Sequence, residues 1–219
     1  MKSVLFFLML VMAVPAMAQV QQRNQFGPKL ALGYYNLAYG SASKQTDLTQ
    51  QLDSLQVGNV ALDFGFSYKR RLTRELSIAT GLGLGRYQVN FLENSLPSIA
   101  AYHQLLLQVN LPVGLEYNII TENWQPFFGV YLQGSKILQS KMEYILQQGW
   151  NPNTTQSYLP ANTWLYGMAV SAGAQLPLTD HWTLEPAIWA AYSFKSLMAN
   201  GAVQRPYQIS FQAAVLYNF

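Results

Sequence analysis

The sequence predicts an all-β protein, an eight-stranded antiparallel up-and-down transmembrane β-barrel. Apolar residues recur at every second position in segment after segment, which gives a strand one apolar and one polar face. Charged residues make up only 11% of the chain, against about 25% in an ordinary soluble domain. The connections between segments alternate between short and long, as they do in barrels that cross a membrane.

The clearest alternation lies in the last segment, 207–219. The residues between its apolar positions are mostly polar, so one face is dry and the other wet. The apolar positions are Tyr207, Ile209, Phe211, Ala213, Val215, Tyr217 and Phe219.

The N-terminus has the features of a secretory signal peptide over residues 1–18. Lys2 precedes an apolar run at 4–14, and the small residues Ala16 and Ala18 on either side of Met17 predict cleavage before Gln19. The run is shorter than the roughly 20 residues that a membrane-spanning helix needs. Residues 19–28 are predicted as a short polar periplasmic lead-in, and 29–219 as the barrel.

The first strand is predicted at 29–40. Leu30, Leu32 and Tyr34 start one apolar face, but the alternation becomes unclear after Tyr35, which a β-bulge would explain. A polar loop at 41–56 follows.

The second and third strands are predicted at 58–71 and 76–91, joined by a tight turn. In the third strand the apolar positions change phase near Arg86. A glycine-linked bulge and an exit of the strand from lipid would both explain this change.

The remaining strands alternate in the same way, and the loop at 137–161 is the longest connection. Their predicted ranges are 102–118, 124–136, 162–178, 182–194 and 207–219.

The eight predicted strands give an even number, with tight turns after the second, fourth and sixth. Short turns on the periplasmic side and longer loops outside are typical of outer-membrane barrels. We therefore expect a protein of the Gram-negative outer membrane, in contact with its lipid, with both termini in the periplasm.

Two passages resemble the outer-membrane β-barrel family that includes the PorT-like and small OmpX-like proteins. The first runs from Tyr68 to Gly83 and contains Ser-Ile-Ala-Thr-Gly-Leu, and the second runs from Leu107 to Tyr117 and contains Leu-Pro-Val-Gly-Leu-Glu-Tyr. The resemblance implies the barrel fold over the mature chain. It implies no shared catalytic residues, and one branch of the family is implicated in protein secretion.

Five charged residues are predicted to point into the barrel, where unpaired charge is costly. We expect them to form a structural charge network, and a proton or ion path is the functional alternative. They are Asp63, Lys69, Arg86, Glu116 and Glu185, with Lys29 added if the first strand keeps its initial phase.

No catalytic residue, cofactor or metal site is predicted. The chain has no cysteine, and its two histidines, His103 and His181, stand in no obvious spacing to a nucleophile. A barrel enzyme acting on lipid or peptide remains the alternative, and it would require His103 to cluster at the outer rim with a serine and an acid. Ser98 precedes His103 by five residues across a loop.

The candidate contacts for a partner are Tyr144, Trp150 and Tyr158, all in the loop at 137–161. A net charge of +3 without a basic stripe gives no reason to expect nucleic acid. The prediction is a monomeric, non-catalytic barrel with a role in binding, envelope structure or secretion. Its loops could meet an extracellular or periplasmic protein, and a narrow channel is the second alternative.

Overall fold

The computed structural model describes residues 24–40, 59–92, 99–121, 124–146, 154–157, 162–197 and 203–219. They form nine β-strands: β1 (Asn24–Gly40), β2 (Val60–Arg71), β3 (Leu76–Leu92), β4 (Ile99–Asn118), β5 (Gln125–Leu146), β6 (Thr154–Ser157), β7 (Trp164–Pro177), β8 (Trp182–Ser193) and β9 (Val203–Asn218). None of these residues forms a helix long and apolar enough to cross a membrane.

Eight of the strands close into a ring, which confirms the predicted fold. Each pairs antiparallel with its neighbours in the order β1, β2, β3, β4, β5, β7, β8, β9, and β9 pairs with β1 to complete the barrel. At the closure, Asn24 and Phe219 exchange two backbone hydrogen bonds of 3.0 and 2.9 Å.

The short turns at 72–75 and 178–181 are built in the same way. The Thr73 hydroxyl accepts hydrogen bonds from the amides of Glu75 and Leu76, at 3.2 and 2.9 Å. The Thr179 hydroxyl accepts from His181 and Trp182, at 3.3 and 3.1 Å. A threonine side chain thus satisfies amides that the turn leaves without a strand partner. These turns and the Asn24–Phe219 contact define the turn side of the barrel, and the opposite end is the loop side.

Two predicted boundaries were wrong. Residues 24–28 belong to β1, which pairs with both β2 and β9, and not to a lead-in. β5 continues to Leu146, well beyond its predicted end, and β6 adds to it as a ninth strand outside the ring. The pairing of β5 with β4 shifts register at Leu107/Gln108, so the buried positions of β5 are Ile137 and then Ser140, three residues later. Because this spacing breaks the alternation, the continuing strand was not recognised in the sequence.

The change of phase near Arg86 is not a bulge. β3 keeps one register with β2 and β4 throughout, and Arg86 lies between Leu62 and Leu107. Its side chain is exposed on the same face as Leu82 and Leu84, whereas Tyr87 is fully buried inside. The prediction that Arg86 points into the barrel was therefore wrong, because the strand alternates regularly while the polarity of its two faces inverts.

Candidate functional site inside and outside the barrel wall

The turn side of the interior holds an ion-paired group, here called the Lys69 cluster: Lys69 on β2, Glu116 on β4 and Glu185 on β8. The Lys69 ammonium lies 2.5 Å from Glu116 Oε2 and also pairs with Glu185 Oε2. All three side chains are buried. The alternation of the sequence predicted that each of these side chains points inward. Closure of the barrel brings the three strands, and with them the three side chains, close together.

Neutral side chains complete this cluster. The Tyr131 hydroxyl donates to Glu116 Oε1 and lies 3.2 Å from the Ser171 hydroxyl. Gln175 Nε2 donates to Glu185 Oε2 at 3.2 Å, and the Lys69 ammonium lies 4.4 Å from the centre of the Phe127 ring. One cation and two carboxylates are thus surrounded by donors and an aromatic face, as burial of charge requires.

The Asp63 cluster is separate from the Lys69 cluster. Asp63 Oδ2 accepts hydrogen bonds from the Tyr87 hydroxyl at 3.1 Å and from Asn110 Nδ2 at 2.6 Å. Asn110 Oδ1 in turn accepts from the Ser135 hydroxyl at 2.7 Å. Neither salt bridge found among the described residues includes Asp63, so the predicted charges divide into two groups.

Lys29 lies between these groups. With Asp63, Asn110 and Trp189 it lines a small cavity, and its ammonium lies 5.6 Å from the centre of the Trp189 ring. Trp189 was not predicted as an interior residue. The alternation of β8 did indicate it, because Trp189 stands between Ile188 and Ala190, which were both predicted to face outward.

The loop side of the interior contains a cluster of buried apolar side chains, although the sequence alternation predicted a polar interior. We call this region the apolar layer. Its members are Tyr35, Leu37, Ala61, Tyr87, Val89, Leu106, Ile137, Leu165 and Leu197. The Tyr35 and Tyr87 rings lie 4.5 Å apart, so the layer fills the lumen with packed side chains.

The outer wall shows the opposite arrangement. From the turn side to about the middle of each strand it presents an apolar belt, which includes Leu30, Leu32, Phe64, Phe66, Leu82, Leu84, Leu111, Val113, Phe128, Leu132, Ile188 and Phe211, all exposed. Beyond the belt, toward the loop side, β3 turns Arg86, Gln88 and Asn90 outward. Near the turns the barrel is therefore apolar outside and polar inside, and on β3 this polarity is exchanged toward the loop side, where Tyr87 and Val89 are buried inside.

Aromatic residues border the belt at both ends. Trp124, Trp182 and Tyr217 are exposed on the turn side, and Trp164 and Tyr166 on the loop side. Lys136 and Lys195 place their ammonium groups 5.2 and 5.9 Å from the ring centres of Trp164 and Tyr166.

The residues considered for catalysis are not assembled into a site by the described part of the chain. His103 Nδ1 lies 2.7 Å from the side-chain oxygen of Asn90, an amide. No group of three His, Cys, Asp or Glu side chains suited to a metal occurs among the described residues. Ser98 lies outside those residues.

Of the candidate loop contacts, Tyr144 lies in β5, where its backbone pairs with Tyr102 and Thr154. Trp150 and Tyr158 lie outside the described residues.

No family model and no curated protein match the chain. Solved structures do. Ail, the attachment invasion locus protein of Yersinia pestis, solved with the heparin analogue sucrose octasulfate, is 9% identical with a TM-score of 0.42, over 90% of this chain and 99% of that one. Neisserial surface protein A is 14% identical with a TM-score of 0.40, over 89% and 97%. E. coli outer membrane protein W is 12% identical with a TM-score of 0.42, over 88% and 97%. Likenesses this distant carry no argument about function, and the strand pairing itself establishes the barrel.

Proposed function

We propose that the protein is an integral, non-catalytic β-barrel of the Gram-negative outer membrane, with a role in binding or envelope structure and its loop side as the interaction surface. The observation that carries the proposal is the exposed apolar belt around an interior that is polar and charged near the turns. In water, an exposed apolar belt would be unfavourable. A soluble barrel would instead be stabilised by burying apolar side chains in its interior. In lipid, the same belt is favourable.

The height of the belt supports this proposal. On β3 it runs from Leu76 to Arg86, where outward polar side chains begin. At about 3.3 Å per residue and a tilt of about 40°, this stretch rises by about 25 Å, the height of the apolar band in outer-membrane barrels. Above this level the outward Arg86, Gln88 and Asn90 of β3 fit a barrel wall that projects into water.

The filled interior supports a role without transport. The Lys69 cluster, the Asp63 cluster and the apolar layer follow one another along the lumen. An eight-stranded barrel is just wide enough to be filled by its own side chains. Such a protein offers its partners a surface, and β4 and β5, which stay paired as far as Ile99 and Leu146, extend the described wall toward the loop side.

The remaining parts of the proposal are a signal peptide at 1–18, periplasmic termini and a monomeric state. The position of Asn24 and Phe219 beside the short turns supports periplasmic termini, because short turns face the periplasm in barrels of this class. The PorT-like or OmpX-like relationship and a link to secretion stay predictions. The partner that fits the proposal is an extracellular or periplasmic protein, with outer-membrane lipid around the belt.

The test is a pair of substitutions on the outward face of one strand. Leu82→Arg puts a cation in the belt, and Gln88→Arg puts the same cation beyond it. We expect Leu82→Arg to reduce the free energy of folding into lipid vesicles by about 2–4 kcal/mol, and Gln88→Arg by about 0–1 kcal/mol.

Equal effects of the two arginines, or a wild-type protein that stays dispersed and folded without detergent, would contradict membrane insertion. Folding is read from the shift in gel mobility between heated and unheated samples, and from tryptophan fluorescence in vesicles.

A further inference from the structure

The outer wall carries a cationic groove that the proposed barrel function leaves unexplained. We call it the Arg86 groove; it has a volume of about 180 Å³ and is lined by Arg86 on β3, Leu105 and Leu107 on β4, and Gln139 and Lys141 on β5. Three adjacent strands contribute to it, so it is a feature of the folded wall.

The strand register fixes its layout. Arg86 lies beside Leu107, which lies beside Gln139, and Leu105 lies beside Lys141. The two cations therefore stand on either side of one strand and two residues apart along it, with Cα atoms about 12 Å apart at about 4.8 Å per strand spacing and about 3.3 Å per residue. The leucines form the floor between them.

Neither Arg86 nor Lys141 takes part in a salt bridge found among the described residues. The acids with described burial lie inside the barrel, as Asp63, Glu116 and Glu185 do, or in the short turns, as Glu75 and Asp180 do. Glu143 follows Lys141 by two residues on β5. Both salt bridges among the described residues belong to Lys69. The Arg86 groove thus presents two cations, outside both salt bridges, on an apolar floor.

We infer that the groove binds the phosphate of an anionic lipid in the membrane leaflet on the loop side. This inference rests on the proposed membrane function, since it places Arg86 at the upper edge of the belt, where headgroups begin. A guanidinium presents paired N–H donors that match two phosphate oxygens, and an ammonium adds a mobile point charge. Leu105 and Leu107 offer the apolar contact that an acyl chain needs, which a free phosphate does not.

The experiment measures lipid retained by the detergent-purified full chain in native mass spectrometry. The probes are lipid A, the same lipid without its phosphates, and inorganic phosphate. We expect Arg86→Gln together with Lys141→Gln to weaken lipid A binding on the order of tenfold, because charge-assisted hydrogen bonds are lost. Arg205→Gln is the matched control, since Arg205 is also an exposed cation on the loop side but lies on β9, outside the groove.

Three outcomes would overturn the inference: equal binding of the dephosphorylated lipid, an equal loss in Arg205→Gln, or displacement of lipid A by inorganic phosphate at similar concentration. The first two outcomes would mean that lipid associates with the barrel without a specific phosphate site. The third would mean that the groove binds free anions. Insertion of each variant into vesicles is measured in parallel. If the wild type inserts normally but does not discriminate among the lipids, the inference fails and the proposed membrane function stands.

Discussion

The ring of Tyr87 lies directly over Gly85, two residues earlier on the inward face of β3. A Cβ atom on Gly85 would collide with the ring and its hydroxyl. The ring cannot move aside easily, because it packs 4.5 Å from Tyr35 and donates a hydrogen bond to Asp63. Because Gly85 has no side chain, the Tyr87 ring has room to fill the lumen at this point.

We therefore expect Gly85→Ala to lower the free energy of unfolding by about 1–3 kcal/mol, the usual range for overpacking of a filled interior. The measurement is urea unfolding in lipid vesicles, followed by tryptophan fluorescence. Gly134→Ala is the control, because the nearest atom to its Cβ position is Leu111 O at 3.9 Å. An equal loss in both variants would mean that the cost comes from the strand backbone and not from Tyr87.

The ion pairs of Lys69 lead to a second prediction. Lys69→Met leaves Glu116 and Glu185 buried with no cation between them, and breaking a buried pair in this way costs about 3–5 kcal/mol. We expect that loss in the free energy of unfolding, and recovery of most of it when Glu116→Gln and Glu185→Gln are added.

The outward Lys136→Met serves as the control for loss of a lysine, because Lys136 is exposed beside Trp164. If the triple variant is no more stable than Lys69→Met alone, the loss reflects packing of the lysine stem and not unpaired carboxylates.

The turns give a third prediction. Thr73→Ala removes the acceptor of two amide hydrogen bonds, and each bond contributes about 0.5–1.5 kcal/mol. We expect the free energy of unfolding to fall by about 1 kcal/mol and the refolding rate in vesicles to decrease, whereas the exposed Arg74→Ala in the same turn changes neither. Equal behaviour of the two variants would show that the hydroxyl is not needed to form the turn.

Strand alternation was enough to predict the ring of strands and the inward direction of Asp63, Lys69, Glu116 and Glu185. It failed for Arg86 because β3 exchanges the polarity of its two faces at this point, with Arg86 exposed outside and Tyr87 buried inside. At Tyr87 the phase of the strand is unchanged while the surroundings of its two faces exchange, and a sequence pattern alone cannot separate that from a bulge. Contacts between strands, such as Tyr35 with Tyr87 and Tyr131 with Trp189, depend on barrel register, which hydrophobic alternation does not specify.

These two aromatic pairs block the lumen at different heights. Tyr131 and Trp189, with ring centres 4.7 Å apart, lie beside the Lys69 cluster, and Tyr35 and Tyr87 belong to the apolar layer. The cavities around Lys29 that the described residues line measure only about 30 and 10 Å³. Single waters fit such spaces, but a continuous file of water does not.

The fourth prediction follows: the wild-type protein gives no conductance steps in planar bilayers. Tyr131→Ala with Trp189→Ala, or Tyr35→Ala with Tyr87→Ala, should also stay closed, because each pair leaves the other obstruction in place. The fourfold variant should conduct, with a preference for cations, since Asp63, Glu116 and Glu185 outnumber Lys29 and Lys69 along the path.

Each variant is used only after its heat-dependent gel shift shows a folded barrel. Conductance in the wild type would establish the narrow channel instead, and conductance in one double variant would show that the two obstructions do not act in series.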